Sequence, residues 1–277
     1  MSYDVRITPI RDGIAGQCLE GLIRAEVYLE PKVLTCTAPA AGLHRMPDAA
    51  SEQMDQLLFG EVFDVLEDEG AFLWGQARRD GYVGFVAASA LARVDAPPTH
   101  RIGALRTYAF AGPSIKTRAA GPYSMGALVA VEGEADKLSK IAGAGWMTTC
   151  HLVPMGEFEA DIAAVAERYL GAPYLWGGRE SLGLDCSGLV QQALFACGQA
   201  CPRDADQQET LGHAITREEF GRGDLVFWTG HVGIGLDARL LVHANGHHMM
   251  VAIEPLETAI KRIGATETGQ PTSYRRL

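Results

Sequence analysis

The chain has 277 residues, of which 47% are hydrophobic and 21% charged, a globular make-up with apolar material for roughly one to three cores. A formal net charge of −10 excludes the basic footprint that nucleic-acid binding requires and disfavours adhesion to an anionic surface. No uncharged apolar stretch reaches the roughly 20 residues that span a bilayer, and Met1 to Pro9 lack the basic-then-apolar order of a secretion signal. These features predict a cytoplasmic protein with neither nucleic acid nor membrane as partner.

In chain order, residues 1–33 read as an N-terminal packing arm, with helical periodicity between Cys18 and Val27 that Pro31 ends. Residues 34–96 and 99–154 show short apolar runs broken by glycine and acidic turns, the pattern of two small antiparallel β-barrels. The two look duplicated. Gly84-Phe85-Val86-Ala87-Ala88-Ser89-Ala90-Leu91 aligns with Gly145-Trp146-Met147-Thr148-Thr149-Cys150-His151-Leu152. Gly60-Glu61-Val62-Phe63-Asp64-Val65 aligns with Gly126-Ala127-Leu128-Val129-Ala130-Val131. Between the copies, Val94-Asp95-Ala96-Pro97-Pro98-Thr99 reads as a linker, because paired prolines continue neither a helix nor a central strand.

From Glu157 the pattern changes, and residues 157–277 read as a domain of helices followed by strands. Phe158, Ile162, Val165, Ala166, Tyr169 and Leu170 recur at helical spacing. Glu157, Glu159 and Asp161 fall in the first turns, where they suit the helix dipole, and Gly171 and Pro173 stop the helix. A second helix is predicted to start near Cys186, with an apolar face of Leu189, Val190, Ala193, Leu194 and Cys197. After Gly223, strands are predicted over 224–228, 231–236, 240–245 and about 249–254, then a short helix to Ile263 and a closing strand over 273–276.

Of the six cysteines, none forms a C-x-x-C pair, so a structural zinc site is not expected. Cys186 stands apart. At a helix start, unpaired N–H groups and the positive dipole end would lower its thiol pKa, and its own N–H would suit an oxyanion hole. A thiol nucleophile needs a base, and the base an orienting partner. Pairing Val232 with Ala244 leaves a three-residue connection, Asp237-Ala238-Arg239, within hairpin range. In that register His231 and His243 are diagonal neighbours on one face, and Gly233 and Gly235 leave open space beside them. His247 and His248 fall in a turn and read as surface residues; a metal-dependent hydrolase on His243, His247 and His248 is an alternative.

Tyr174-x-Trp176-Gly177-Gly178, Asp185-Cys186-Ser187-Gly188, Gly223-Asp224-Leu225-Val226-Phe227 and Gly230-His231-Val232-Gly233-Ile234 occur in that order. They resemble the NlpC/P60 family of cell-wall cysteine peptidases over residues 157–277. The upstream duplication is similar to the paired bacterial Src-homology-3-like barrels that precede this domain in some members. The resemblance implies an α+β fold, a papain-like cysteine peptidase domain preceded by two small all-β SH3-like barrels. It implies Cys186 as nucleophile, His231 as general base and acid, His243 as the orienting residue and the Tyr174 hydroxyl near the nucleophile. The implied partner is a murein peptide with a free N-terminal L-alanine, cut between D-glutamate and a diamino acid through an acyl-enzyme, with no cofactor. Substrate contacts would come from Trp176 and Ser187, from the acids Asp185 and Asp204, and from Glu61 and Tyr82 of the first barrel. Arg179 and Arg203 would receive substrate carboxylates, and Ala205 stands where members often carry a serine. The rival readings are an amidase or acyltransferase on the same fold, or a catalytically silent wall-peptide binding protein.

Overall fold

Alternating apolar and polar residues set the strands of the N-terminal unit in the computed structural model, which describes residues 3–277 and divides after Met155. Three short strands, β1 (Ile10–Arg11), β2 (Ile14–Gly16) and β3 (Val27–Leu29), form a small sheet of their own. The helix expected between Cys18 and Val27 does not form. Only a 3-10 turn, Gln17–Leu19, is present, and Gly21 then takes a left-handed backbone (φ +79°) that ends it. The arm rests on the sheet that follows. Val83 donates its N–H to the Arg6 carbonyl at 2.8 Å, and the Arg11 guanidinium lies 4.8 Å from the Phe85 ring centroid.

That next sheet contains β4 (Lys32–Cys36), β5 (Ala40–His44), β6 (Gln53–Leu58), β7 (Val62–Asp68), β8 (Phe72–Ala77), β9 (Val83–Ala87) and β10 (Leu91–Ala92), in the order β10-β4-β7-β8-β9-β5-β6. Leu34, Cys36, Leu43, Phe63, Val65 and Val86 point into its core. The following strands are β11 (His100–Ile102), β12 (Arg106–Phe110), β13 (Ala119–Ser124), β14 (Leu128–Val129), β15 (Val131–Ala135), β16 (Leu138–Ile141), β17 (Gly145–Thr148) and β18 (Leu152–Pro154). They form two sheets, β14-β11-β18 and β13-β12-β17-β16-β15.

The aligned segments share one succession of elements. β9, the 3-10 turn Ala88–Ala90 and β10 correspond to β17, the 3-10 turn Thr149–His151 and β18. Gly60 and Gly126 both take positive φ (+82° and +89°) just before β7 and β14. The two halves also share a core. Leu58 and Phe59 cluster with Ile102, Tyr123 and Met147, and Phe59 meets Tyr123 edge-on at 5.2 Å. Leu128 donates its N–H to the Phe59 carbonyl at 2.8 Å, and a Cβ on Gly60 would lie 2.0 Å from the Leu128 carbonyl oxygen. The Pro97-Pro98 linker is therefore not the only join between them.

The C-terminal unit opens with α1 (Ile162–Glu167), shorter than the helix expected from Glu157. Asp161 caps it, its side chain accepting the N–H groups of Ala163 and Ala164, so the residues upstream lie outside the helix. Glu157 and Glu159 thus precede it, and Phe158 and Leu170 are exposed. Next come β19 (Arg179–Glu180) and β20 (Gly183–Leu184), α2 (Cys186–Ala196), α3 (Ala205–Gln208) and β21 (His213–Ile215). The chain ends with β22 (Leu225–Trp228), β23 (His231–Gly235), β24 (Leu240–Asn245), β25 (Met250–Pro255), α4 (Leu256–Gly264) and β26 (Ser273–Arg276). Six of these strands form an antiparallel sheet in the order β21-β26-β22-β23-β24-β25.

α2 was expected to bury one face, yet all of its residues are buried, among α1, β23 and β24. Gln191 is paired inside the fold, accepting from Arg179 and donating to the Cys201 carbonyl, both at 3.3 Å. α4 packs Leu256, Ala259 and Ile263 with Phe220, Val226, Trp228 and Leu241. Among the described residues, no helix is long and apolar enough to cross a membrane.

Candidate active site

α2 starts at Cys186 because Asp185 caps it. The Asp185 carboxylate accepts the N–H of Gly188 at 2.7 Å and that of Gly177 at 2.8 Å, and Arg203 donates to both its oxygens at 2.6 and 3.0 Å. The Ser187 hydroxyl adds a bond at 3.2 Å. A Cβ on Gly188 would lie 2.3 Å from the Gly178 carbonyl oxygen, and one on Gly178 would lie 2.4 Å from that of Gly183. These glycines let the 177–178 loop, the β19–β20 hairpin and the helix start touch through backbone. Cys186 is thereby fixed in the first turn, 5% exposed, with Sγ 4.0 Å from the Gly230 carbonyl. The N–H groups of Val232 and Ser187 are directed at the sulfur, so the thiol sits between the two backbone neighbours of His231.

β23 and β24 pair Ile234 with Val242 and Gly235 with Leu241, the register expected from the alternation. His231 and His243 share a face, and Nε2 of His231 is 2.8 Å from Nδ1 of His243. The chain of contacts continues. Leu241 pairs with Glu254 on β25, which places Glu254 diagonal to His243, and Glu254 Oε1 lies 2.8 Å from His243 Nε2. Arg262 of α4 donates to the same carboxylate. Trp228 flanks the His231 ring, 5.6 Å between centroids. The glycines do not leave open space as expected: a Cβ on Gly233 would meet Leu241 Cδ1 at 2.6 Å, and one on Gly235 the Gly221 carbonyl oxygen at 2.2 Å. They admit neighbouring chain.

Burial governs the electrostatics here. It pushes the Cys186 thiol up to about 12, with the Asp185 charge adding to it. The expectation of a depressed thiol fails, because a helix terminus supplies about 0.3–2 kcal/mol while complete burial shifts a group by up to about 3–5 pK units. Burial also lowers His231 to about 3, reinforced by His243 and Arg262. It lowers His243 too, outweighing the hydrogen bond to Glu254. For Glu254, burial acts upward, but the bonds from His243 and Arg262 outweigh it and hold the carboxyl at about 2. Burial, then the Cys186 and Asp185 charges, raises the Tyr174 hydroxyl above its ordinary value. At neutral pH the thiol and both imidazoles are neutral and Glu254 is ionised.

Several residues expected to bind substrate are engaged in holding the fold. Arg203 is buried in its pair with Asp185 and also donates to the Ser187 hydroxyl at 2.8 Å. Arg179 is fully buried and donates to Gln191. Neither is a surface cation awaiting a carboxylate, and both Asp185 oxygens are engaged by five donors of the protein itself. Asp204 caps α3 in a capping box with Gln207, and Ala205 behind it is buried. Trp176 is 59% exposed. Glu61 and Tyr82 belong to the N-terminal unit and are buried; Glu61 accepts the Leu58 N–H at 3.0 Å, and Tyr82 joins the core of the β4–β10 sheet. His248 is half-buried rather than a surface residue, 2.9 Å from Asn245 Oδ1, with ring nitrogens near His243 and Glu254. Those three could gather a metal within 4.8 Å, but His243 already bonds through both nitrogens and Glu254 through Arg262.

Sequence reasoning missed Glu254 and Arg262. The available signal was an acid inside the strand segment Met250-Val251-Ala252-Ile253-Glu254, at the spacing that diagonal pairing across a hairpin requires.

Comparison with known proteins fits this geometry. Residues 171–263 match the NlpC/P60 family and residues 43–91 match the bacterial dipeptidyl-peptidase Sh3 domain. The chain is 31% identical over 126 residues to the gamma-D-glutamyl-L-lysine dipeptidyl-peptidase of Bacillus subtilis (strain 168), covering 44% of this chain and 43% of that protein. It is 39% identical over 89 residues to dipeptidyl-peptidase 6 of Lysinibacillus sphaericus, covering 32% and 33%. The chain thus spans less than half the length of these curated relatives. A crystal structure of an NlpC/P60 family protein from Bacillus cereus ATCC 10987 has the same fold, with a TM-score of 0.77 over 88% of this chain and 99% of that one at 18% identity.

Proposed function

From the premise that residues 171–263 form an NlpC/P60 family domain and residues 43–91 a bacterial dipeptidyl-peptidase SH3 domain, we propose that this protein is a cysteine peptidase acting on murein peptides. The bond cut is the γ-D-glutamyl–diamino acid bond, in peptides with a free N-terminal L-alanine. The observation that carries the proposal is Cys186 in the first turn of α2, seated between the backbone neighbours of His231, with His231 and His243 joined at 2.8 Å. The similarity to a gamma-D-glutamyl-L-lysine dipeptidyl-peptidase supports the substrate class.

In this mechanism Cys186 Sγ attacks the γ-carbonyl carbon and its proton passes to His231. Both groups are neutral at rest, so proton transfer accompanies attack instead of preceding it. The oxyanion is stabilised by N–H groups of the first turn of α2. His231 then protonates the leaving amine, and water, deprotonated by the same imidazole, releases L-Ala-D-Glu from the thioester.

Mass spectrometry of L-Ala-γ-D-Glu peptides ending in diaminopimelate or lysine, run with their N-acetylated counterparts, tests this. Release of L-Ala-D-Glu from the free-amine peptides alone is expected. Cleavage of acetylated and free peptides alike would remove the amine requirement, and cleavage of none would refute the peptidase reading.

A further inference from the structure

Glu254 and Arg262 stand behind the histidine pair, yet their contacts order its protons. Glu254 accepts from the Arg262 guanidinium through Oε1 and is ionised, so it only accepts hydrogen bonds. Its bond to His243, at 2.8 Å, therefore requires the proton on His243 Nε2. His243 is fully buried and neutral, which makes its Nδ1 a lone pair. The atom facing that lone pair at 2.8 Å is His231 Nε2, which must then be the donor. A neutral imidazole with its proton on Nε2 has its lone pair on Nδ1. The reverse order would set the His243 Nε2 lone pair against a carboxylate oxygen in a buried site, two acceptors facing each other. It would also put a proton on His231 Nδ1 and leave that ring no base. The charged or titratable groups bearing on His243 are Glu254, Arg262, His231 and His248, and only Glu254 accepts from its Nε2.

Resting on the peptidase reading above, we propose that Glu254, held by Arg262, is a positioning residue that fixes the tautomers of His243 and His231 and so makes Nδ1 of His231 the base for Cys186. A glutamine at this position can present its amide N–H₂ to His243 Nε2, which permits the reversed order.

The experiment combines 15N NMR of the histidine rings with steady-state kinetics on the full chain, in wild type, Glu254→Gln, Glu254→Asp and Arg262→Met. Wild type is expected to show both rings protonated at Nε2. Glu254→Gln should shift both rings toward protonated Nδ1 and lower kcat on the order of 10²-fold with KM unchanged, a milder loss than the roughly 10⁴-fold that follows when Asn replaces the orienting Asp of a Ser-His-Asp triad. Glu254→Asp should restore both readouts in part. Unchanged tautomers in Glu254→Gln, whether or not kcat falls, would overturn the proposal, because a merely structural role moves stability and leaves the proton order alone. Should Glu254→Gln fail to fold, Arg262→Met, which loosens the carboxylate without supplying an amide, must still mix the tautomers in part; unmixed rings would overturn the proposal. The ring signals need no substrate, so a wild type that cuts no peptide would sink the peptidase reading while leaving this test intact.

Discussion

Replacing Asp185 by alanine is expected to be among the most damaging single changes in the C-terminal unit, and its cost follows from the contacts. The substitution removes the cap of α2, worth about 0.5–2 kcal/mol. It also leaves the Arg203 guanidinium buried without the carboxylate that took two of its hydrogen bonds, and breaking a buried pair from one side costs about 3–5 kcal/mol. The combined loss is about 3.5–7 kcal/mol, comparable with the whole stability of a small domain at about 5–15 kcal/mol. Arg203→Met alone should cost less, since the Asp185 carboxylate would keep its bonds from Gly177, Gly188 and Ser187. The double variant should lose only the cap energy, about 0.5–2 kcal/mol, because no charge is then stranded. Guanidinium unfolding of the four proteins, followed by tryptophan fluorescence, measures the cycle. Additivity of the two single costs to within about 0.5 kcal/mol would refute the reasoning, as would an Asp185→Ala loss below about 1 kcal/mol.

Three further outcomes follow from the same geometry. Gly188→Ala should cost about 1–3 kcal/mol and depress activity, since its Cβ would lie 2.3 Å from the Gly178 carbonyl oxygen and only backbone movement can relieve that; wild-type melting and turnover would contradict this. The second concerns pH. The folded pKa of His231 lies near 3 against an ordinary 6.5, so the unfolded chain binds the proton first as pH falls; stability should be full above about 6.5 and decline toward 3, with Glu254 adding a loss between 4.5 and about 2. Denaturant titrations across that window should show the decline, flattened in His231→Leu, and a pH-independent wild type would count against it. Third, alkylation of Cys186 by iodoacetamide in the free protein should keep rising into the alkaline range. A plateau below about pH 7 would instead reveal a resting thiolate–imidazolium pair.

How much of this was legible in the sequence depended on how local the cause was. The register of β23 and β24 follows from a period of two and one short connection, so the His231–His243 contact could be derived from residues 231–245 alone. The start of α2 at Cys186 was legible for the same reason. Contacts of long sequence separation were not. Two of the residues that donate to Asp185, Gly177 and Arg203, lie eight and eighteen positions away, and nothing near Asp185 announces them. Gly233 and Gly235 read as space because the residues that fill it, Leu241 and the 220–221 turn, lie in other elements. The thiol pKa was misjudged because the helix terminus is a local feature and complete burial is a tertiary one. α2 itself looked amphipathic, since the partners of Gln191, Arg179 and the Cys201 carbonyl, lie in other segments. In the N-terminal unit, nothing in the run Leu58-Phe59 distinguishes its own core from its neighbour's, and so the shared core around Phe59 and Tyr123 was invisible.

The central claim is that Cys186 carries the acyl group. Acid-quenched mixing of the protein with L-Ala-γ-D-Glu-meso-diaminopimelate, followed by intact and peptide mass spectrometry, tests it most directly. The expected result is a transient adduct of L-Ala-D-Glu less one water on the peptide bearing Cys186, with neither adduct nor turnover in Cys186→Ala. Hydrolysis by Cys186→Ala at the wild-type rate, or an adduct on any other residue, would contradict the account.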